Sequence, residues 1–292
     1  MRLTICLLWA AIAGALTGTA VAQETLVHGL WVWKTPSVLA APNSGEALRD
    51  FCRAQTVNEV YLSFSPDKAY ASEENEVVTL IALLHRSGIR VEALLSSVNA
   101  DQPGPHRDKL IDHVRAVLTF NREHPRSGFD GVHLDVEPQQ RPENKVPGNL
   151  VFLPDLLETY RQVRVLAVQN RITVNADIPN KFLKGDLGQR QALMSALPRL
   201  TLMLYELSSP GDGESTAAQA DKLRQASEKF LTMAYDGLSG TQLARMAIGL
   251  RTPDYESQLP NMLKTLQQAS SGNPHYLGWA WHSYNDAVPA AQ

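Results

Sequence analysis

His133, Asp135 and Glu137 occupy every second position of the run Phe129-Asp130-Gly131-Val132-His133-Leu134-Asp135-Val136-Glu137-Pro138. If that run is a β-strand, its side chains alternate. Val132, Leu134 and Val136 then share one face and the three ionisable groups share the other. Two carboxyls two residues apart lie about 6.6 Å from each other at Cα, close enough for the charge on one to bias the protonation of the other. Such a pair suits general acid–base work: an ionised Asp135 is expected to keep Glu137 protonated, the state a general acid needs. The competing reading is an internal salt-bridge network, with Asp135 paired to His133. The position of Glu137 at the carboxyl end of the strand, just before Pro138, favours chemistry.

The neighbouring strands decide whether that face is enclosed. Strand-like runs recur at residues 28–34, 57–65, 89–96, 171–178, 200–207, 246–251 and 277–283, around the central one. Between them fall helical patterns at 44–55, 73–86, 107–123, 149–169, 189–197, 216–232 and 255–269, with a short helical piece expected from Thr241. Strict alternation of this kind predicts a parallel sheet with helical crossovers, and eight repeats favour closure into a (β/α)8 barrel. The fold class is therefore α/β, a (β/α)8 TIM barrel forming one domain over residues 23–292. No Gly-x-Gly-x-x-Gly follows the first strand, which argues against a dinucleotide fold.

In such a barrel the active site gathers at the carboxyl ends of the strands. Those ends carry Trp33, Ser96, Asp135, Glu137, Asn175, Asp177, Tyr205, Glu206 and Trp281, among others. Acids, amides and indoles together suit a carbohydrate, whose hydroxyls need hydrogen bonds and whose ring faces stack on aromatic groups. Asp130 has the opposite strand parity and is expected to fix the strand entry through the backbone. Neither H-E-x-x-H nor a paired-cysteine pattern points to zinc, so no metal or other cofactor is implied. G-x-S-x-G is absent too, leaving a serine nucleophile unsupported.

The chain has 292 residues and a net charge of −3, which offers no general pull toward nucleic acid or anionic membrane. Met1-Arg2, the apolar run 3–16 and Ala20-Val21-Ala22 read as a signal peptide over residues 1–22, predicting an exported, periplasmic or secreted protein without stable membrane insertion after cleavage. Removing it leaves Cys52 as the remaining cysteine, so packing rather than a cross-link must hold the domain together.

Asp130-x-x-His133-x-Asp135-x-Glu137, with Phe129 before it and Gly131 within it, resembles the D-x-x-D-x-D-x-E signature of glycoside hydrolase family 18. That family comprises chitinases and endo-β-N-acetylglucosaminidases on a (β/α)8 barrel. Met203-Leu204-Tyr205-Glu206 is similar to the family's M-x-Y-D, and Trp279 or Trp281 resembles its floor tryptophan. The resemblance implies that Glu137 protonates the glycosidic oxygen and that Asp135 holds the 2-acetamido group whose carbonyl oxygen attacks the anomeric carbon. It also implies a hydrogen bond from Tyr205 to that acetamido and a sugar floor made by the last strand's tryptophan. Substrate assistance of this kind removes the need for an enzyme nucleophile.

Two positions depart from the family. His133 stands where the family has another Asp, and a histidinium there is expected to hold Asp135 ionised. Glu206 replaces an Asp, adding one methylene. The sequence thus points to a glycosidase that acts on a carbohydrate and keeps Glu137 as its acid while substrate recognition has drifted; a variant of this reading uses two enzyme carboxylates, with Glu206 or Asp177 as the partner of Glu137. The alternative is a non-catalytic carbohydrate-binding protein on a degenerate hydrolase barrel. The oligomeric state is not legible.

Overall fold

The computed structural model describes residues 26–40, 43–66, 74–145, 150–204, 216–240, 242–251, 259–270 and 272–287. The signal peptide expected at residues 1–22 and the candidate ligands Tyr205 and Glu206 lie outside them.

Eight parallel strands close in sequence order into a barrel: β1 (Val27–Val32), β2 (Glu59–Ser63), β3 (Arg90–Ser97), β4 (Gly131–Val136), β5 (Thr173–Pro179), β6 (Arg199–Met203), β7 (Arg245–Arg251) and β8 (Tyr276–His282), β8 pairing back onto β1. The crossovers carry α1 (Thr35–Ala40), α2 (Ser44–Ala54), α3 (Glu74–Arg86), α4 (Pro105–Glu123), α5 (Leu153–Gln169), α6 (Leu187–Ala196), α7 (Thr216–Tyr235) and α8 (Leu259–Ser270), and α9 (Tyr284–Ala287) follows β8. α1 falls in what the sequence reads as a loop. Pro36 opens it, where the missing N–H costs nothing because the first turn has no carbonyl to donate to. The helical piece expected from Thr241 is not formed at residues 242–244. α6 starts two residues earlier than expected because Asp186 and Gln189 form a reciprocal capping box. Among the described residues, no helix is long and apolar enough to cross a membrane.

Strand parity divides the side chains into two layers. Leu30, Val32, Val60, Leu62, Val91, Leu95, Val132, Leu134, Val136, Val174 and Ile178 face outward and form one continuous core with the helices. The inward face is largely polar. At its lower end Arg199 donates to Glu59 Oε1 at 2.5 Å and to Glu92 Oε1 at 3.4 Å, Arg90 reaches Glu59 Oε2 at 3.4 Å, and the Thr173 hydroxyl donates to Glu92 at 2.8 Å. Glu92 thus lies inside the barrel as part of this ion-pair floor. Above it sit Trp31 and Tyr61, edge to face at 5.3 Å, with Leu94 and Ala280 packed around them. Small residues make room for the two large rings. A Cβ at Gly29 would lie 2.5 Å from the Tyr61 hydroxyl, and one at Gly249 would lie 3.1 Å from the Trp31 indole.

The register between β7 and β8 slips once, Met246 pairing with Tyr276 but Ala247 with Gly278. Gly278 has φ 143°, and a Cβ there would run into the Val27 backbone, so only glycine fits. Beyond this slip Ala280 packs inside the barrel, whereas Trp279 and Trp281 belong to the outer core.

Candidate functional site

β4 places its polar side chains into the barrel as its alternation requires, and all six of its residues are buried. Val91 N–H donates to Asp130 Oδ2 at 2.7 Å and His85 Nε2 lies 3.0 Å from the same oxygen, so Asp130 ties the entry of β4 to β3 and α3. His85 and the Val91 amide hold the Asp130 carboxyl below its ordinary range, although partial burial works the other way. At the other end, Glu137 N–H donates to Ser97 O at 2.9 Å, carrying β3–β4 pairing one residue past the strand.

Glu137 is half-buried and heads the 3₁₀ turn Pro138–Gln140. The turn folds two amides back onto its carboxylate: Gln139 Nε2 donates to Oε1 at 2.9 Å, and Gln140 Nε2 donates to Oε2. Asn144 Nδ2 donates to Pro138 O at 2.9 Å, and Arg141 clamps both oxygens of buried Asp101 at 2.5 and 2.8 Å. The segment carrying Glu137 is therefore braced against the loop after β3. Neither glutamine was singled out from sequence, although Pro138 directly after the strand signals a tight turn that returns its next residues toward Glu137.

Asp135 is 4% exposed and accepts from the Ser96 hydroxyl at 3.1 Å, while Ser96 itself is exposed at the barrel mouth. Burial is the main force raising its pKa well above the ordinary carboxylate range, and the charges of Asp177 and Glu137 add to it. Asp135 thus keeps its proton to higher pH than an ordinary carboxyl. This reverses the expectation that His133 would hold it ionised, and the reason is where His133 spends its charge. The imidazole lies between Glu92 Oε2 at 3.4 Å and Asp177 Oδ1 at 2.8 Å, stacked on Tyr61 with ring centroids 3.7 Å apart. Burial opposes its protonation, but Asp177 and Glu92 outweigh that and lift its pKa from 6.5 to about 9. A raised histidine stabilises the fold fully below its unfolded value. That contribution fades as pH climbs from 6.5 through about 9.

The sign for Asp135 is the same and its consequence is opposite at neutral pH. A carboxyl that must be neutral when folded and is ionised when unfolded costs stability above the ordinary carboxylate range. Asp135→Asn is therefore expected to raise the melting temperature at pH 7 while lowering any activity. Calorimetry of the two proteins at pH 7 checks this, an unchanged or lower melting temperature being the contrary outcome.

Of the other candidates, Asp177 (1% exposed) is bound on both oxygens, by His133 and by Trp31 Nε1 at 3.0 Å. Asn175 is fully buried on the same inner face of β5. Trp33 is half-buried near the mouth, its indole N–H donating to His282 Nε2 at 3.1 Å. Trp281 is not brought to this group. It is fully buried in the outer core against Trp279, because the β7–β8 slip turns Ala280 and His282 inward instead. His282 of β8 contacts both Trp31 and Trp33. One group of potential metal ligands converges among the described residues, Glu74, Glu123 and His124, on α3 and α4 outside the barrel interior.

The sequence matches no family model and no curated protein. Solved structures do match. A chitinase from Bacteroides thetaiotaomicron is 12% identical with a TM-score of 0.54, covering 89% of this chain and 90% of that one. The PgaB (BpsB) glycoside hydrolase domain from Bordetella bronchiseptica is 11% identical with a TM-score of 0.53, covering 90% and 95%. A D-psicose 3-epimerase from Clostridium cellulolyticum scores equally, 0.53 at 13% identity over 88% and 84%. At these identities the likeness establishes the fold, and the chemistry must be argued from the residues inside this barrel.

Proposed function

We propose that this chain is a glycoside hydrolase acting on an N-acetylhexosamine-containing glycan, with Glu137 as general acid and Asp135 as its proton-holding partner. The observation that carries the reading is the arrangement at the end of β4. A buried carboxyl with a strongly raised pKa lies two residues before a half-exposed carboxylate braced at the mouth of a closed barrel. The family-18-like spacing of Asp130, Asp135 and Glu137 supports it, as does the shared fold with a chitinase and a glycoside hydrolase domain.

In this reading the pair carries the single proton the reaction needs. It rests on Asp135 in the empty site, and Glu137 takes it up when a glycosidic oxygen displaces the glutamine amides. Glu137 then delivers it to the leaving oxygen as the C–O bond breaks, and Asp135, now ionised, faces the positive charge that develops on the sugar. The acetamido carbonyl oxygen closes on the anomeric carbon as that bond breaks, and water, giving a proton back to the Glu137 carboxylate, opens the intermediate. Trp33 offers a ring face for the sugar, held in place by His282. The reading includes export of the protein through its N-terminal signal.

A second reading, a sugar-binding barrel without turnover, is favoured by one observation. Two amide donors on Glu137 stabilise its charged form, which is the wrong state for an acid. A panel of oligosaccharides separates the two. Reducing ends are expected to appear from N-acetylglucosamine oligomers and to lag or fail for oligomers lacking the acetamido group. Binding without release across the panel would establish the second reading instead.

A further inference from the structure

Asp177 is one of the strand-end acids that the sequence offers for binding sugar hydroxyls. Its two oxygens are taken, Oδ1 by His133 Nε2 at 2.8 Å and Oδ2 by Trp31 Nε1 at 3.0 Å, and it is 1% exposed. β4 and β5 pair His133 with Asn175 and Leu134 with Ala176, so the next step along the ladder sets Asp135 beside Asp177. Adjacent parallel strands run about 4.8 Å apart, and two carboxyls so placed cannot both remain charged without help. The help is unequal. Asp177 has two N–H donors, one of them on a cationic ring, whereas Asp135 accepts from the Ser96 hydroxyl.

We propose that Asp177 is a positioning residue: clamped on both oxygens by Trp31 and His133, it presents a fixed negative charge to Asp135 across the β4–β5 ladder and so decides where the site's proton rests. His133 is the tether. It is held in turn by Glu92 from β3, stacked on Tyr61 from β2 and met edge-on by Trp31 from β1. Among the described residues, this group is also faced by Glu137 beside Asp135, and by Arg199 from β6, which engages Glu92 and Glu59 in the floor below. Burial holds Tyr160 from α5 and Tyr61 in their neutral phenol form, and the charge of Asp177 adds to it at both. His133 thus brings a positive charge onto the inner face of β4, and Asp177 from β5 faces it.

This inference rests on reading Asp135 and Glu137 as a proton-sharing pair, so its test is read without turnover. Carboxyl carbons and imidazole nitrogens of the full-length protein are followed by NMR from pH 4 to 10 in wild type and Asp177→Asn. In the variant the Asp135 titration is expected to move to lower pH, and that of His133 to fall from about 9 toward 6.5. Should Asp177→Asn fold poorly, Trp31→Phe removes one donor from Asp177 while keeping a ring in place, and the Asp135 titration is expected to move the same way by less. An Asp135 titration unmoved in a folded variant overturns the proposal, as does loss of glycan binding with both titrations unchanged. A wild type that hydrolyses no glycan would overturn the proposed activity and leave these titrations to stand or fall separately.

Discussion

Glu137→Gln is expected to lower kcat by about 10²–10⁴-fold, the usual contribution of a positioned general acid, with glycan affinity largely kept. The amide has nearly the carboxylate's shape and still accepts from Gln139, so the braced turn after β4 should survive the change. It has no ionisable proton to give. A fall in kcat with little change in KM would therefore locate the lost interaction in the transition state. Kinetics on a fluorogenic N-acetylglucosamine oligomer, with affinity measured by calorimetry on the unlabelled oligomer, separates the two quantities. Near-wild-type turnover would remove Glu137 from the chemistry.

The second large effect concerns the floor of the barrel. Arg199→Met is expected to destabilise the fold by about 3–5 kcal/mol, because removing one partner of a buried ion pair strands the others. The stranded groups are Glu59 and Glu92, whose side chains are 2% and 0% exposed. Glu59 is already pushed upward by burial and by the charge of Glu92, while Glu92 is held below its ordinary value, against the pull of burial, by Arg199 and His133. Without Arg199 the proton balance of both shifts toward the neutral acids. The urea midpoint of Arg199→Met at pH 7 checks this, and the double variant Arg199→Met with Glu59→Gln should recover part of the loss. A midpoint within error of wild type would show that the floor contributes nothing net.

The barrel was legible because its outward strand faces are nearly unbroken aliphatic runs spaced by amphipathic helices, a pattern few other folds produce. The inward parity of His133, Asp135 and Glu137 followed from the two-residue period alone. What that period could not give was the partner across the ladder. His133 is two residues from Asp135 in sequence, yet its ring nitrogens point to β3 and β5, so the expected His133–Asp135 influence proved weaker than that of Asp177. Cross-strand neighbours depend on the stagger of a closed sheet, which no single strand encodes.

Trp281 illustrates the other limit. Its strand reads as simple alternation, but the extra residue where β8 meets β7 reverses inside and outside, at a point marked by the positive φ of Gly278. α1 escaped notice because two prolines within eight residues read as loop, although proline is welcome in a helix's first turn. Tyr205 and Glu206, the other marks of the family resemblance, lie outside the described residues.

The most direct test places wild-type protein and Glu137→Gln side by side with N-acetylglucosamine oligomers in ¹⁸O-enriched water, followed by mass spectrometry. Wild type is expected to yield shortened oligomers carrying one heavy oxygen at each new reducing end, and the variant almost none. Intact oligomers from both proteins, or equal shortening by both, would contradict the assignment of Glu137 as the acid of a glycan hydrolase.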